Sequence, residues 1–189
     1  MKVVQLYFNE PLIIRKALAN DAQAQQVIYE QFAPKMLSVC RQYISDAFFA
    51  EDVLVSGFLK VFTKLNQFDQ RGSFEGWIRR IMVTTAISHL RSQKRLVFLE
   101  DFPETNLLES MTANDNLEVE DLQKLIDGLP ENYKVVFLMY AIDGYSHQEI
   151  SEVLNITEST SKTQLHRARK LLQHQLKDKN IKKNETVRI

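Results

Sequence analysis

A chain of 189 residues has room for one large domain or two small ones, and 44% apolar with 25% charged residues is ordinary for a soluble globular protein. A single cysteine, Cys40, excludes an internal disulfide framework; with no apolar run near 18 residues and no signal-peptide pattern at the N-terminus, neither export by the usual route nor a membrane anchor is expected. The net charge of zero conceals two basic lobes on an acidic strap, with net charges of +5 over residues 1–96, −8 over 97–121 and +3 over 122–189, an asymmetry that points to a polyanionic partner.

Five Gly, four Pro and no sustained period-two alternation favour an all-α fold. Residues 1–96 read as four or five helices. Asn20-Asp21 is the expected N-cap of a helix to about Phe32, with Leu18, Ala22, Val27 and Ile28 apolar. Pro34 suits the first turn of the next helix, which carries Met36, Leu37, Cys40, Tyr43 and Ile44. In that pattern Cys40 reads as a small buried apolar residue. Asp46 caps a helix from about Ala47 to Leu65. Its apolar residues Val53, Leu54, Val55, Phe58, Leu59, Val61 and Phe62 cover more than one core-facing stripe. Either this helix is central to its lobe, or part of its surface docks on a partner.

After Gly72-Ser73 comes a helix holding the sole tryptophan. Trp77, Arg80, Thr84, Ser88, Arg91 and Arg95 recur at spacings of three, four, four, three and four, so they share one face. Val83, Ala86, Ile87 and Leu90 turn to the core. A ring for stacking, hydroxyls for hydrogen bonds and arginines for phosphates make the chemistry of a single-strand platform. Trp77 also fits as a core aromatic near a helix start. Residues 97–121 contain one Pro and no basic residue, and read as a linker with helix beginning near Asn116.

The second lobe, residues 122–176, opens with an apolar face of Leu122, Leu125 and Ile126 that stops at Asp127-Gly128. Pro130 starts the next helix, with Tyr133, Val136, Phe137 and Tyr140 inward and Asp143-Gly144 at its end. Ser146 and Glu149 form a capping box ahead of Ile150, Val153 and Leu154. Asn155 suits a left-handed turn, Ile156 an anchor between two helices, and Thr157 the cap of the second. There Ser161, Leu165, Ala168 and Leu172 make an inward stripe, while Ser159, Lys162, Thr163, His166, Arg167 and Lys170 face outward. This pattern matches a DNA-reading helix-turn-helix, with polar residues toward base edges and arginines toward phosphates. Residues 177–189 read as a basic, disordered tail.

Three segments, AEDVLVSGFLKVF, SFEGWIRRIMVTTAISHLR and LPENYKVVFLMYAIDGYSHQEISEVLNITESTSKTQLHRARKLL, resemble in order and spacing the extracytoplasmic-function (ECF) group of bacterial RNA polymerase sigma factors. The style is especially that of the Bacteroidetes branch, and the likeness covers roughly residues 9 to 176. It implies two helical domains. Domain two would bind the polymerase beta-prime coiled coil through Glu51, Asp52, Leu54, Val55, Phe58, Leu59 and Phe62. It would hold the single-stranded minus-ten element on Trp77, Arg79, Arg80, Thr84, Thr85, Ser88, Arg91, Lys94 and Arg95. Domain four would read the minus-thirty-five element with Ser159, Thr160, Lys162, Thr163, Gln164, His166, Arg167, Arg169 and Lys170, and touch the beta flap. The acidic linker would thread the polymerase's RNA path, and an anti-sigma factor would hold the protein inactive in the cytoplasm.

The chain departs from the family at Val55-Ser56, where Gln-Glu is frequent, and at Thr84 and Ser88, where many relatives carry Asn and Asp. Gln164 stands where Arg is common. No metal-ligand spacing surrounds His89, His147, His166 or His174, and no Gly-rich phosphate loop is present, so no cofactor, metal, small-molecule substrate or catalytic activity is expected. A stand-alone helix-turn-helix regulator is the alternative from the residues alone.

Overall fold

The computed structural model describes residues 9–93, 96 and 119–186, without the side chains of 119–122 and 177–186. All regular structure among these residues is helical: α1 (Glu10–Leu18), α2 (Ala22–Tyr43), α3 (Ala47–Thr63), α4 (Phe74–Ser92), α5 (Val119–Asp127), α6 (Glu131–Phe137), α7 (His147–Leu154) and α8 (Glu158–Thr186). A 3-10 turn at Leu65–Gln67 follows α3, and a π turn at Leu138–Ile142 continues α6. Contacts divide the chain into two compact units, one to His89 and one from Leu90. The acidic segment 97–118 and the residues Lys94 and Arg95 lie outside the described residues.

In the first unit, short side-chain caps set the helix starts. Asn9 Oδ1 accepts from the amide of Leu12, Asp21 Oδ1 from Gln23 and Ala24, and Asp46 Oδ1 from Phe48 and Phe49. The break expected between Phe32 and Pro34 does not occur, because α2 runs unbroken through Pro34. Proline inside a helix costs about 3 kcal/mol, since it removes one amide donor and crowds the carbonyl four residues back. Here both Pro34 and Glu30 face solvent, so water can satisfy that carbonyl, while Ile28, Phe32, Ala33, Met36, Val39, Cys40 and Tyr43 are buried on either side of Pro34. Continuous burial outweighs the local cost. Leu18, Ala22 and Val27 are exposed, and Ala24, Phe32 and Ala33 take the inward positions instead. Burial pushes the Cys40 thiol up to about 12, which keeps it protonated and inert.

Helix α3 approaches α4 closely at Gly57, where a Cβ would overlap the thioether of buried Met82. Phe32 meets Phe74 edge-on with centroids 5.6 Å apart, which ties α2 to the start of α4. Gly72 lies at φ +106°, in the region glycine alone enters easily, and turns the chain into α4.

In the second unit Leu125, Ile126 and Leu129 are buried. The expected inward set of α6 is rotated: Lys134, Val135, Val136, Leu138 and Met139 are buried, Tyr133 and Phe137 half-buried, and Tyr140 exposed. Lys134 can sit inward because its Nζ meets the Asp127 Oδ1 countercharge at 2.7 Å. The π turn, closed by Asp143 N on Leu138 O at 3.0 Å, then puts Tyr140 and Ile142 at the surface. Helix α8 packs on α6 and α7 and runs to Thr186. The tail expected to be disordered from 177 therefore continues this helix, because no Pro or Gly interrupts it; residues 187–189 lie outside the described residues.

Candidate nucleic-acid interface

Ser73 Oγ accepts from the amide of Gly76 at 3.0 Å and starts α4. Phe74, Ile78, Met82, Val83, Ala86, Ile87 and Leu90 are buried, and Arg80, Thr84, Ser88 and Arg91 line up on the exposed strip. Trp77 is half-buried at one end of it. Its ring stacks on Phe74 (5.8 Å, 13°) and leans on Phe68 (5.5 Å, 47°), so it belongs to an aromatic cluster and also reaches the surface. Arg79 is half-buried off the strip.

Thr85 is not on the strip. It is 5% exposed, its hydroxyl donates to Ile81 O at 2.7 Å, and it accepts from Lys60 Nζ at 3.2 Å. The placement follows from phase, since at 100° per residue Thr85 comes within about 20° of buried Phe74 and Ile78 around the helix. Thr84 Oγ1 donates to Arg80 O and Ile81 O, both at 3.0 Å, and Ser88 Oγ donates to Thr84 O at 2.8 Å. Beside Ser88 a groove of about 320 Å³ runs between α3 and α4, lined by Asp52, Val53, Ser56, Lys60, Thr85, Ser88 and His89.

The wide apolar surface of helix α3 divides into buried and exposed residues. Leu54 and Phe58 are buried, so they are core residues and not partner contacts; the Tyr29 ring covers Phe58 at 4.8 Å. Val55 (53% exposed) and Leu59 (63%) stand in solvent with Glu51 and Asp52 nearby in sequence, and Phe62 is half-buried. Glu51 pairs loosely with Arg41 at 3.6 Å.

In the second unit Ser146 and Glu149 complete the capping box: Ser146 Oγ accepts from the Glu149 amide at 3.2 Å, and Glu149 Oε2 accepts from the Ser146 amide at 2.9 Å. Asn155 takes φ 52°, ψ 51°, the left-handed turn that ends α7. Thr157 Oγ1 accepts from the Thr160 amide at 3.0 Å and starts α8. Ser161, Leu165, Ala168 and Leu172 are buried, while Ser159, Lys162, Thr163, His166 and Lys170 are exposed. Thr160 and Arg167 are half-buried on one flank, and the Thr160 hydroxyl is engaged by Thr157 at 2.8 Å.

Gln164 is not an outward reader. It is 2% exposed, three residues after Ser161 and four before Ala168, and so falls on the inward stripe. Its Oε1 is buried with no hydrogen-bond partner. Arg169 sits on the opposite flank, its guanidinium 5.6 Å over the Tyr140 ring. Tyr140 in turn stacks on His147 at 4.7 Å and 25°, and His147 Nδ1 lies 2.9 Å from Ser161 Oγ. Burial first, then the Lys162 and Arg169 cations against the Glu158 carboxylate, hold His147 below its ordinary value of 6.5.

Sequence reasoning missed Phe68, the Lys60–Thr85 bond and the Arg169–Tyr140–His147 stack. The recurrence of aromatics at 68, 74 and 77 was the available signal for the first. Nothing local announces the other two. Among the described residues no group of three His, Cys, Asp or Glu could hold a metal, and no helix is long and apolar enough to cross a membrane.

Comparison with known proteins falls onto these two units. Residues 28–96 match the family Sigma-70 region 2, and residues 120–172 match Sigma-70, region 4. The chain is 28% identical to the ECF RNA polymerase sigma factor SigW of Bacillus subtilis, over 87% of this chain and 95% of SigW. It is 23% identical to the ECF RNA polymerase sigma-E factor of Escherichia coli K12, over 88% of this chain and 94% of that protein. In fold it resembles the sigma factor RpoE of Bartonella quintana, solved with the anti-sigma factor NepR (TM-score 0.53, 20% identity, 80% of this chain and 96% of that one). It also resembles CnrH, solved with the cytosolic domain of CnrY (TM-score 0.51, 18% identity, 88% and 96%). With both sigma-70 regions present in order, and relatives matched over nearly their whole length, the chain belongs to the extracytoplasmic-function sigma factors, which are transcription initiation factors.

Proposed function

We propose that residues 1–96 act as the polymerase- and minus-ten-binding domain, 97–121 as an acidic linker into the RNA path, and 122–176 as the minus-thirty-five domain. The exposed strip of α3, with Glu51, Asp52, Val55, Leu59 and Phe62, meets the polymerase beta-prime coiled coil, and the second unit meets the beta flap. Trp77, Arg80, Thr84, Ser88 and Arg91, continued in sequence by Lys94 and Arg95, hold the melted strand. Ser159, Lys162, Thr163 and His166 face the duplex element, with Arg167 and Lys170 on phosphates, so affinity falls steeply with salt. The protein works without catalytic activity of its own, in the cytoplasm, and an anti-sigma factor restrains it, in keeping with the partners of RpoE and CnrH in their solved complexes. The style of its three motifs favours an origin in the Bacteroidetes branch.

One observation carries this reading: a helix whose apolar residues are buried, Ile81 in part, exposes only arginines and hydroxyls, with half a tryptophan, along its open strip. Transcription with core polymerase on genomic promoters of the source bacterium tests it. The chain should co-elute with core polymerase and direct discrete start sites. A chain that does neither is not acting as a sigma factor.

A further inference from the structure

We infer that Thr84 and Ser88 select bases bearing an exocyclic amine, adenine, cytosine or guanine, and disfavour thymine at the positions they meet. The inference rests on the reading of α4 as the strand-holding helix and concerns what that helix reads. A hydroxyl has one proton and two acceptor lone pairs. At Thr84 the proton is committed to the carbonyls of Arg80 and Ile81, at 3.0 Å each, and at Ser88 to the carbonyl of Thr84 at 2.8 Å. Both side chains are exposed, so what they offer to solvent is an acceptor.

Thr85, the next residue of the same helix, holds the completed form of this arrangement. Its hydroxyl donates back to Ile81 O at 2.7 Å and accepts an N–H from the Lys60 ammonium at 3.2 Å. An amine entering from a base would occupy the corresponding place at Thr84 or Ser88. The groove of about 320 Å³ beside Ser88 leaves room for one to approach. Adenine N6, cytosine N4 and guanine N2 each supply such an N–H. Thymine exposes carbonyls and a methyl group on its edge, and its single N3–H lies between two carbonyls that would face the hydroxyl's lone pairs. To donate to those carbonyls instead, Thr84 or Ser88 must release its backbone partner. That gives up a bond of ordinary net strength, a factor of about three to ten in binding. The two residues stand one helical turn apart, about 6 Å along the axis, so they meet one base or two neighbours.

The test uses the full chain bound to core polymerase and a randomised single-stranded DNA pool, followed by oligonucleotides in which cytosine is replaced by 2-pyrimidinone, or adenine by purine, to delete the amine alone. At one or two adjacent positions thymine should be depleted about three- to tenfold against the amine-bearing bases. Thr84→Val and Ser88→Ala should each abolish the depletion at its own position, and the amine-deleted base should lose affinity for the wild type but not for the matching variant. Arg80→Ala separates the inference from its premise. If Arg80→Ala leaves strand affinity unchanged, α4 does not hold the strand, and both fall. If it weakens binding while thymine is tolerated throughout, or while neither hydroxyl variant shifts any position, the base preference alone is wrong.

Discussion

Replacing Asp127 with Asn should cost the second unit far more than replacing Lys134 with Met, although each change removes the same ion pair. Lys134 Nζ lies 2.7 Å from Asp127 Oδ1, and the two side chains are 2% and 42% exposed. With Asn at 127 the ammonium remains buried without a countercharge. Orphaning one partner of a fully buried pair costs about 3–5 kcal/mol, and water on the open side of Asp127 lowers that to about 2 kcal/mol. With Met at 134 the apolar stem is kept and the desolvated ammonium is gone. Asp127 then retains water and the Gln123 amide at 3.3 Å, so the net change is under about 0.5 kcal/mol. Trp77 reports on the first unit only, which makes amide hydrogen exchange of Val135, Val136 and Leu138 in the full chain the suitable assay. A loss of about 2 kcal/mol appears as roughly thirtyfold faster exchange through unfolding of α6. Lys134→Met should stay within about threefold of wild type. Equal acceleration by the two variants would refute the reasoning, because it would mean the pair itself is strongly attractive and Lys134 does not simply need a neutraliser.

Aspartate at both Val55 and Leu59 should abolish co-elution with core polymerase while moving the thermal midpoint little, since exposed substitutions change stability by about 0.5 kcal/mol or less; retained co-elution would move the polymerase contact off α3. His147 is held below 6.5, so the unfolded chain takes up a proton first as pH falls. The second unit should therefore be at full stability above 6.5 and lose stability below it, as read by hydrogen exchange against pH, and His147→Gln should flatten that dependence. Gly57→Ala pushes a methyl into Met82 and should destabilise the first unit by about 1–3 kcal/mol in thermal unfolding followed by Trp77 fluorescence, with Gly57→Ala/Met82→Ala costing less than the sum of the two singles. Gln164→Met removes a buried amide oxygen that has no partner and should stabilise the second unit by about 1 kcal/mol in hydrogen exchange without altering promoter choice; a changed promoter preference would return Gln164 to the DNA face.

The caps were legible because they are local. Asp21, Asp46, Ser146 with Glu149, Asn155 and Thr157 each act within four residues, and each does in the structure what its spacing announces. The inward stripe of α8 was legible for the same reason. Pro34 reads as a break because its local cost is plain in sequence, while the burial that outweighs it depends on α1 and α3 packing against α2. The rotation of α6 buries a lysine that is tolerated only through a pairing across seven residues with Asp127, and is followed by a π turn that no spacing rule marks.

The misplaced site residues share one cause. The resemblance to the family implies Thr85 and Gln164 at the DNA and Leu54 and Phe58 at the polymerase, yet all four are buried. In each instance phase around the helix, not side-chain chemistry, decided the outcome. At 100° per residue, Trp77, Arg80, Thr84, Ser88 and Arg91 occupy an arc of only about 80° on α4, and the buried residues span most of the rest. A helix buried around so much of its circumference is the central element of its unit. Its narrow open strip could hold any soluble side chains without harm to the fold. That it holds arginines, two back-bonded hydroxyls and the edge of an aromatic cluster is therefore not a consequence of packing, and it is the strip, more than the aromatic ring alone, that argues for a bound strand.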